Sequence, residues 1–208
     1  MKSVIFDLGA VLIDWDPALA FADVFVSREA AEAWMQSIGF AEWNRLQDGG
    51  RSFAEGLAAA RADHGDGARH LAGYLAAFPV TIERRVPGSW EIAEALLARG
   101  VPLYALTNWA AETWPAALEL HPRLSALFAD IVVSGQVQRL KPDAGIYRLL
   151  MDRNGLRPED CIFVDDSPTN VEGARALGID AIRFTDAAAL GAELARRGLF
   201  QPGPAGKT

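Results

Sequence analysis

Short apolar runs recur along the chain, separated by stretches with helical periodicity. The runs are rich in β-branched and aromatic residues and lie at 4–6, 101–106, 131–133, 162–164 and 181–184. Strands that are apolar on both faces are typical of a parallel sheet covered by helices on both sides. Segments 89–99, 143–154 and 169–177 carry apolar residues at helical spacing, and a glycine follows each of them. This alternation predicts a doubly wound α/β fold.

The segment 16–87 breaks the alternation, because it has no convincing strand and carries Ala, Glu, Phe and Trp at helical spacing. Asp16 and Pro17 predict an N-cap followed by proline at the first helical position, and Ser27 predicts a second cap. Gly49 and Gly50 separate two further helices. We expect an α/β core of residues 1–15 and 88–200, with a small helical insertion at 16–87 after the first strand. The tail at 201–208, rich in Gly and Pro, is expected to fray.

The amino-acid composition indicates a globular protein and argues against some classes of partner. Of the 208 residues, 50% are hydrophobic and 23% are charged, which is ordinary for a globular chain with a sizeable core. The formal net charge of −7 gives no electrostatic basis for binding nucleic acid or an anionic membrane. Any anionic substrate therefore needs a bound cation or a few local Lys and Arg residues.

The expected location is the cytoplasm. Cys161 is the single cysteine, so an internal disulfide is excluded, and its apolar neighbours indicate a buried core thiol. No apolar run reaches the about 20 residues that a membrane span needs. The first apolar run ends at Asp7, too early for a signal peptide.

Polar side chains collect just past the carboxyl ends of the predicted strands, the edge at which open α/β sheets bind ligands. They include a carboxylate that could attack, hydroxyl and amide donors, a cation and a pair of adjacent acids. These parts suit phosphoryl transfer, although each of them alone is an ordinary turn or cap residue. They are Asp7, Thr107, Asn108, Lys141, Asp165 and Asp166.

With these residues, the chain resembles a known family, the haloacid dehalogenase-like (HAD) hydrolases. The resemblance rests on four stretches in the family's order and spacing, and it implies a Rossmann-like core with a helical cap domain at the insertion. The chain is most similar to small bacterial sugar-phosphate phosphatases and to the phosphatase domain of soluble epoxide hydrolases. The four stretches are 4–12, 106–108, 141–143 and 163–174.

The resemblance implies roles for individual residues. Asp7 attacks phosphorus and becomes an aspartyl phosphate. Thr107 and Asn108 donate hydrogen bonds to the phosphoryl oxygens, and Lys141 neutralises charge on Asp7 and on the phosphoryl group. Trp109, directly after the phosphate-binding pair, is expected to contact the substrate.

The same resemblance implies a Mg²⁺ site. Asp7 and Asp166 contact the ion directly, and Asp165 contributes directly or through water. Gly9 can offer its backbone carbonyl. Carboxylate oxygens are the ligands that Mg²⁺ prefers, and the ion compensates for the negative net charge.

Gly9 is also where the chain departs from the family pattern. Many phosphatases of this superfamily carry a second Asp two residues after the nucleophile as general acid and base, and glycine cannot move a proton. Asp14 and Asp16 in the following loop are candidates to replace it. Three other readings stay open. The enzyme is a phosphatase for substrates with easier leaving groups, such as sugar 1-phosphates; it is a 2-haloacid dehalogenase, which uses the same Asp without metal; or it is a non-catalytic relative that only binds phosphorylated metabolites. Adjacent acids at Asp165 and Asp166 favour the metal-dependent phosphatase.

A small cap leaves room for a small substrate. We therefore expect a phosphorylated metabolite, with a sugar phosphate favoured, and no nucleic-acid or membrane partner. The chain is expected to act as a monomer or homodimer. Trp15 and Trp43 are candidates to reach into the pocket, whereas Tyr147 is interpreted as a core residue with an outlet for its hydroxyl.

Overall fold

The computed structural model describes residues 2–200, and the tail at 201–208 that was predicted to fray lies outside them. Five parallel strands form one sheet in the order β3-β2-β1-β4-β5. The α/β prediction is confirmed, and each strand overlaps its predicted run. The strands are β1 (Ser3–Phe6), β2 (Leu103–Thr107), β3 (Asp130–Val133), β4 (Cys161–Asp165) and β5 (Asp180–Arg183).

The insertion at 16–87 is mainly helical, as predicted. Ser27 caps the first helix through a hydrogen bond from the Ala30 amide, and Ser52 and Glu55 form a capping box at the third. The division of the chain into separate core and cap domains stays a prediction. The α-helices of this segment are α1 (Arg28–Ser37), α2 (Phe40–Asp48), α3 (Phe53–His64) and α4 (Tyr74–Ala77), with 3-10 turns at Pro17–Phe21, Gly65–Gly73 and Phe78–Ile82.

The remaining helices cover the two faces of the sheet. Val4 and Phe6 of β1 face one apolar cluster, which contains residues of α5, α6, α7 and α11, and Ile5 faces the other, which contains residues of α9 and α10. This alternation follows from the pleat of a strand buried on both sides. The helices are α5 (Ser89–Ala98), α6 (Trp114–Leu120), α7 (Leu124–Leu127), α8 (Ser134–Val137), α9 (Ala144–Asn154), α10 (Pro168–Arg175) and α11 (Ala187–Arg196).

One local prediction needs correction, and two short helices were not predicted. Asp16 stands at the N-cap position of the Pro17–Phe21 turn, yet its side chain makes no capping bond. Its carboxylate instead accepts hydrogen bonds from Arg28 at 2.6 and 2.9 Å and from Arg84 at 3.1 Å. Two guanidinium groups offer a carboxylate stronger, charge-assisted bonds than a backbone amide does. The short helices α7 and α8 were also not predicted, because four residues show no periodicity.

The cap has an aromatic interior centred on Tyr74, whose ring lies 5.1–6.1 Å from those of five neighbours. Trp43 belongs to this cluster, and its indole N–H donates to the Gly56 carbonyl at 2.8 Å. Trp43, a candidate to reach into the pocket, is therefore a packing residue of the cap, since neighbouring rings and the Gly56 carbonyl already hold its ring and its N–H. The five neighbours are Phe21, Phe40, Trp43, Phe53 and Phe78.

The cap docks on the core through the segment that joins α2 and α3. The Ser134 hydroxyl donates to the Asp48 carbonyl at 2.5 Å and accepts from the Trp109 amide at 2.9 Å. The Phe53 amide donates to the Glu112 carboxylate at 2.7 Å. These bonds tie the end of α2 and the start of α3 to the loops that follow β2 and β3.

Across residues 2–200, no helix combines the length and the apolar character needed to cross a bilayer.

Gly135 should tolerate no side chain, because α8 and the loop after β2 approach closely there. A Cβ at Gly135 would lie 2.4 Å from the Ala111 amide nitrogen and 2.8 Å from the Trp109 carbonyl oxygen. We expect Gly135→Ala to lower the free energy of unfolding by about 1–3 kcal/mol, measured by thermal denaturation. Gly73→Ala is the matched control, since a Cβ at Gly73 meets no atom within 4 Å. Equal stability of the two variants would contradict this account of the packing.

Candidate active site

The register of the sheet brings three motif residues to one edge. Phe6 lies beside Ala105 of β2 and Val164 of β4. Asp7 follows Phe6 and thus comes next to Asp165, while Thr107 ends the neighbouring strand β2. Because parallel strands end at the same side of the sheet, residues far apart in sequence meet there.

Lys141 occupies the centre of this edge. Its ammonium lies 2.8 Å from Asp7 Oδ2 and 2.7 Å from Asp165 Oδ2, and it donates to the Leu106 carbonyl at 2.9 Å. An ammonium has three donors, and these three contacts use all of them. Burial alone would lower the pKa of Lys141, but the two carboxylates hold it above its usual value. Lys141 is therefore a buried cation fixed between the two acids.

Asn108 holds the Lys141 backbone in place. Its side-chain oxygen accepts from the Lys141 amide at 2.9 Å, and its Nδ2 donates to the Lys141 carbonyl at 3.1 Å. One N–H of the side chain and the backbone N–H remain as donors for a phosphoryl group. The hydroxyl of Thr107 is buried and lacks a partner within the described residues. An unpaired buried hydroxyl is costly, so this donor suits a ligand that the protein itself does not supply.

The carboxylate of Asp165 is saturated by protein donors. Oδ1 accepts from the Ser167 amide at 2.8 Å and Oδ2 accepts from Lys141, while the Asn170 side chain lies 3.1 Å from both oxygens. Asp165 thus positions Lys141, and any contact it makes with a metal competes with these bonds. Asn170 was missed as a site residue. Its place on the first turn of the helix that follows the acid pair was the one feature of the sequence that could have indicated a contact with Asp165.

Asp7, Asp165 and Asp166 form the cluster that could hold a cation. One oxygen from each lies within 4.8 Å of the others. Three carboxylate oxygens are hard ligands, which fits Mg²⁺ and not a soft metal. The ligand roles of these acids and of Gly9 stay predictions.

Asp7 is buried, with 7% of its surface exposed. Its Oδ1 accepts from the Leu8 amide at 2.7 Å. Burial raises the pKa of Asp7 to about 7, against the opposing effect of Lys141 and with a further rise from Asp165. Without a metal, the surroundings of Asp7 therefore hold one negative charge more than they readily accommodate.

A cavity lies between this edge and the cap, with an empty volume of ≈ 370 Å³ that includes its mouth. Trp109 and Trp15 line it, and contact of Trp109 with a substrate stays a prediction. Asp14 and Asp16 do not; they line a separate cavity with Arg28 and Arg84. The lining residues are Gly9, Trp15, Asn44, Asp48, Phe78, Asn108, Trp109 and Thr113.

Asp48 is the second residue that sequence reasoning missed. It is the last residue of α2, where the negative end of the helix dipole disfavours a carboxylate. An acid at that position was the available signal, although surface helices also carry such residues. Only the docking of the cap shows that Asp48 lines the same cavity as Gly9 and Asn108.

Comparisons with known proteins find relatives that are hydrolases and phosphatases by name. Phosphoglycolate phosphatase of Rhodospirillum rubrum is 32% identical over 193 residues, covering 87% of this chain and 78% of that protein. Flavin mononucleotide hydrolase 1 of Arabidopsis thaliana is 32% identical over 112 residues. That match covers 54% of this chain and 45% of the plant protein, less than half of its length.

Solved structures share the fold. A HAD family enzyme of Bacteroides thetaiotaomicron, a mutant complexed with magnesium and inorganic phosphate, has a TM-score of 0.68 at 20% identity and covers 89% of this chain and 95% of that one. A dehalogenase has a TM-score of 0.65 at 23% identity, covering 88% and 84%. The family profile described as haloacid dehalogenase-like hydrolase matches residues 1–178. As its motifs indicated, this chain belongs to the haloacid dehalogenase-like hydrolase family.

Proposed function

We propose that the protein is a Mg²⁺-dependent phosphatase that hydrolyses a small phosphorylated metabolite through an aspartyl phosphate on Asp7. The observation that carries this proposal is that Asp7 contacts Lys141 and lies beside the acid pair Asp165 and Asp166. A carboxylate in that position can attack phosphorus while a cation and Lys141 offset the charge on both reactants.

Each residue of the site has its own role in the proposed reaction. An Asp7 oxygen forms a bond to phosphorus as the bond between phosphorus and the ester oxygen breaks. Thr107 and Asn108 donate to the phosphoryl oxygens, and Lys141 holds Asp7 in place. Water then attacks phosphorus and releases phosphate and Asp7.

Asp7 and Asp166 would hold the Mg²⁺, with the Gly9 carbonyl as a further oxygen. Asp165 is better suited to positioning, because its oxygens already bind Lys141 and Asn170. When bound, the ion supplies positive charge that favours transfer of a phosphoryl group to a carboxylate.

The cavity supports a small substrate. Trp15, Phe78 and Trp109 give it apolar walls, and the cap covers it. A sugar phosphate or a short phosphorylated acid fits these features, and the relatives named for phosphoglycolate and for flavin mononucleotide point to the same broad class. We further propose that the chain acts in the cytoplasm, as a monomer or homodimer.

Phosphate release should require both Mg²⁺ and Asp7. We expect turnover of at least some sugar phosphates, phosphoglycolate or flavin mononucleotide with Mg²⁺, and none with EDTA. Asp7→Asn should lower kcat by at least about 10³-fold. Asp166→Asn should raise the Mg²⁺ concentration for half-maximal activity by roughly tenfold or more. The measurement is a colorimetric phosphate assay over this panel.

The exposed cap residue Asp63 offers a matched control, Asp63→Asn, which should keep wild-type activity. A parallel assay follows halide release from 2-haloacids by metal-free enzyme. Halide release without any phosphate release would replace the phosphatase by a dehalogenase. Ligand binding with no turnover would indicate a non-catalytic relative.

Asp7→Asn should also stabilise the metal-free protein at pH 8. Folding raises the pKa of Asp7 from 3.8 to about 7, so ionisation of the folded state costs free energy that grows as pH rises through this range. Below both pKa values the carboxyl is protonated in the folded and unfolded chains, and the cost disappears. We expect the variant to be on the order of 1–4 kcal/mol more stable than wild type at pH 8, measured by calorimetry in EDTA.

This stability difference should shrink strongly at pH 4.5, relative to pH 8, if both proteins remain folded there. Asp63→Asn, at an exposed position of the cap, is the control variant for this measurement. An increase in the stability of Asp7→Asn over wild type that is the same at both pH values would contradict the buried-charge explanation.

A further inference from the structure

Phosphoester hydrolysis needs a proton for the departing oxygen, and the loop after Asp7 offers no side chain for this purpose. Gly9 lines the cavity without a side chain, and Asp14 and Asp16 lie in the neighbouring cavity with Arg28 and Arg84. Lys141 is fully engaged with Asp7, Asp165 and the Leu106 carbonyl. A leaving group that is a poor anion therefore needs an acid from another part of the chain.

Asp48 is the acid of the cap that lines this cavity. It belongs to the same lining as Gly9 and Asn108, which come from the loops after β1 and β2. Its position is fixed on both sides: Asn44 donates to its Oδ2 at 3.0 Å, and its backbone carbonyl accepts from the Ser134 hydroxyl at 2.5 Å. The second contact ties Asp48 directly to the core.

The surroundings of Asp48 favour a carboxyl that exchanges its proton near neutral pH. Burial raises its pKa to about 7, opposed by the nearby Ala110 amide, Asn44 and Arg45. Arg45 on α2 and Tyr74 on α4 are the titratable groups that interact with it within the described residues. Acids and bases are most effective in catalysis when their pKa lies near the working pH.

We propose that Asp48, supplied by the cap, is the general acid and base of the reaction, in place of a side chain at Gly9. This inference rests on the proposed phosphatase function. It makes Asp48 a catalytic residue that contacts the leaving oxygen of the substrate, and it makes closure of the cap a requirement for proton transfer.

The proton balance closes over the two steps. As Asp7 bonds to phosphorus and the ester bond breaks, the Asp48 carboxyl gives its proton to the leaving oxygen. Water then enters, its oxygen bonds to phosphorus, and the Asp48 carboxylate takes one water proton. The bond from phosphorus to Asp7 breaks with its electrons returning to the Asp7 carboxylate, so both acids regain their starting states.

The test compares two substrates of similar shape, phenyl phosphate and p-nitrophenyl phosphate, with the Mg²⁺-loaded full chain. Phenolate is a poor leaving group, whose phenol resembles that of tyrosine with a pKa near 10, whereas nitrophenolate leaves readily without a proton. Asp48→Asn should lower kcat/KM for phenyl phosphate by about 10²-fold or more and that for p-nitrophenyl phosphate by less than about fivefold. The ratio kcat/KM is used because it reports the first phosphoryl transfer, whichever step limits kcat.

Gly9→Asp provides a rescue. A Cβ at Gly9 meets no atom within 4 Å, and the φ of Gly9 lies outside the left-handed region, so a side chain can be placed there. Adding Gly9→Asp to the Asp48→Asn variant should raise its kcat/KM for phenyl phosphate at least about tenfold. Asp63→Asn controls for loss of an acid elsewhere on the cap, and circular dichroism checks that each variant folds.

The outcomes separate the two proposals. Equal losses on both substrates, or no loss on either, would overturn the role of Asp48 as a proton donor while leaving the phosphatase intact. Absence of rescue by a folded double variant would count against it as well. If wild-type enzyme releases phosphate from neither substrate nor from the metabolite panel, the phosphatase function fails and the role of Asp48 fails with it.

Discussion

The site depends on one buried ion cluster, in which a single ammonium holds two carboxylates. Lys141 contacts Asp7 and Asp165 at 2.8 and 2.7 Å, and its third donor reaches the Leu106 carbonyl. These four residues come from the residue after β1, from β2 and β4, and from the loop before α9. Removing the Lys141 ammonium would leave two buried carboxylates without their cation, which is strongly destabilising. The cluster thus stabilises this edge of the sheet and is also the place where the reaction can occur.

The excess negative charge of this cluster explains why it suits a cation and an anionic phosphoryl group. Lys141 offsets one of the two buried acids, and Asp166 adds a third nearby. A divalent ion supplies the missing positive charge and lowers the cost of ionising Asp7. The net charge of −7 over the whole chain therefore gives no guide to what this local site can bind.

Residues of both the cap and the core line the cavity. The cap interior is aromatic and centred on Tyr74, so it keeps its own shape. Beside the site, the cap contacts the core through the polar bonds of Ser134 and Glu112 and through the Phe78 ring, whose centroid lies 5.8 Å from that of Trp109. Polar contacts of this kind exchange readily with water, which is compatible with a cap that opens to admit a substrate and closes to bring Asp48 to it.

The sequence by itself determined the sheet, the order of the motifs and the identity of most charged residues at the site. Strands buried on both faces carry a strong local signal, and Asp7, Lys141 and the acid pair each follow such a strand or its loop. The tertiary structure decided what no local pattern encodes. Arg28 and Arg84 draw Asp16 away from the pocket, cap packing encloses Trp43, and the docked α2 places Asp48 in the cavity. Each of these outcomes depends on contacts between segments distant in sequence, whereas periodicity and capping report only on neighbours along the chain.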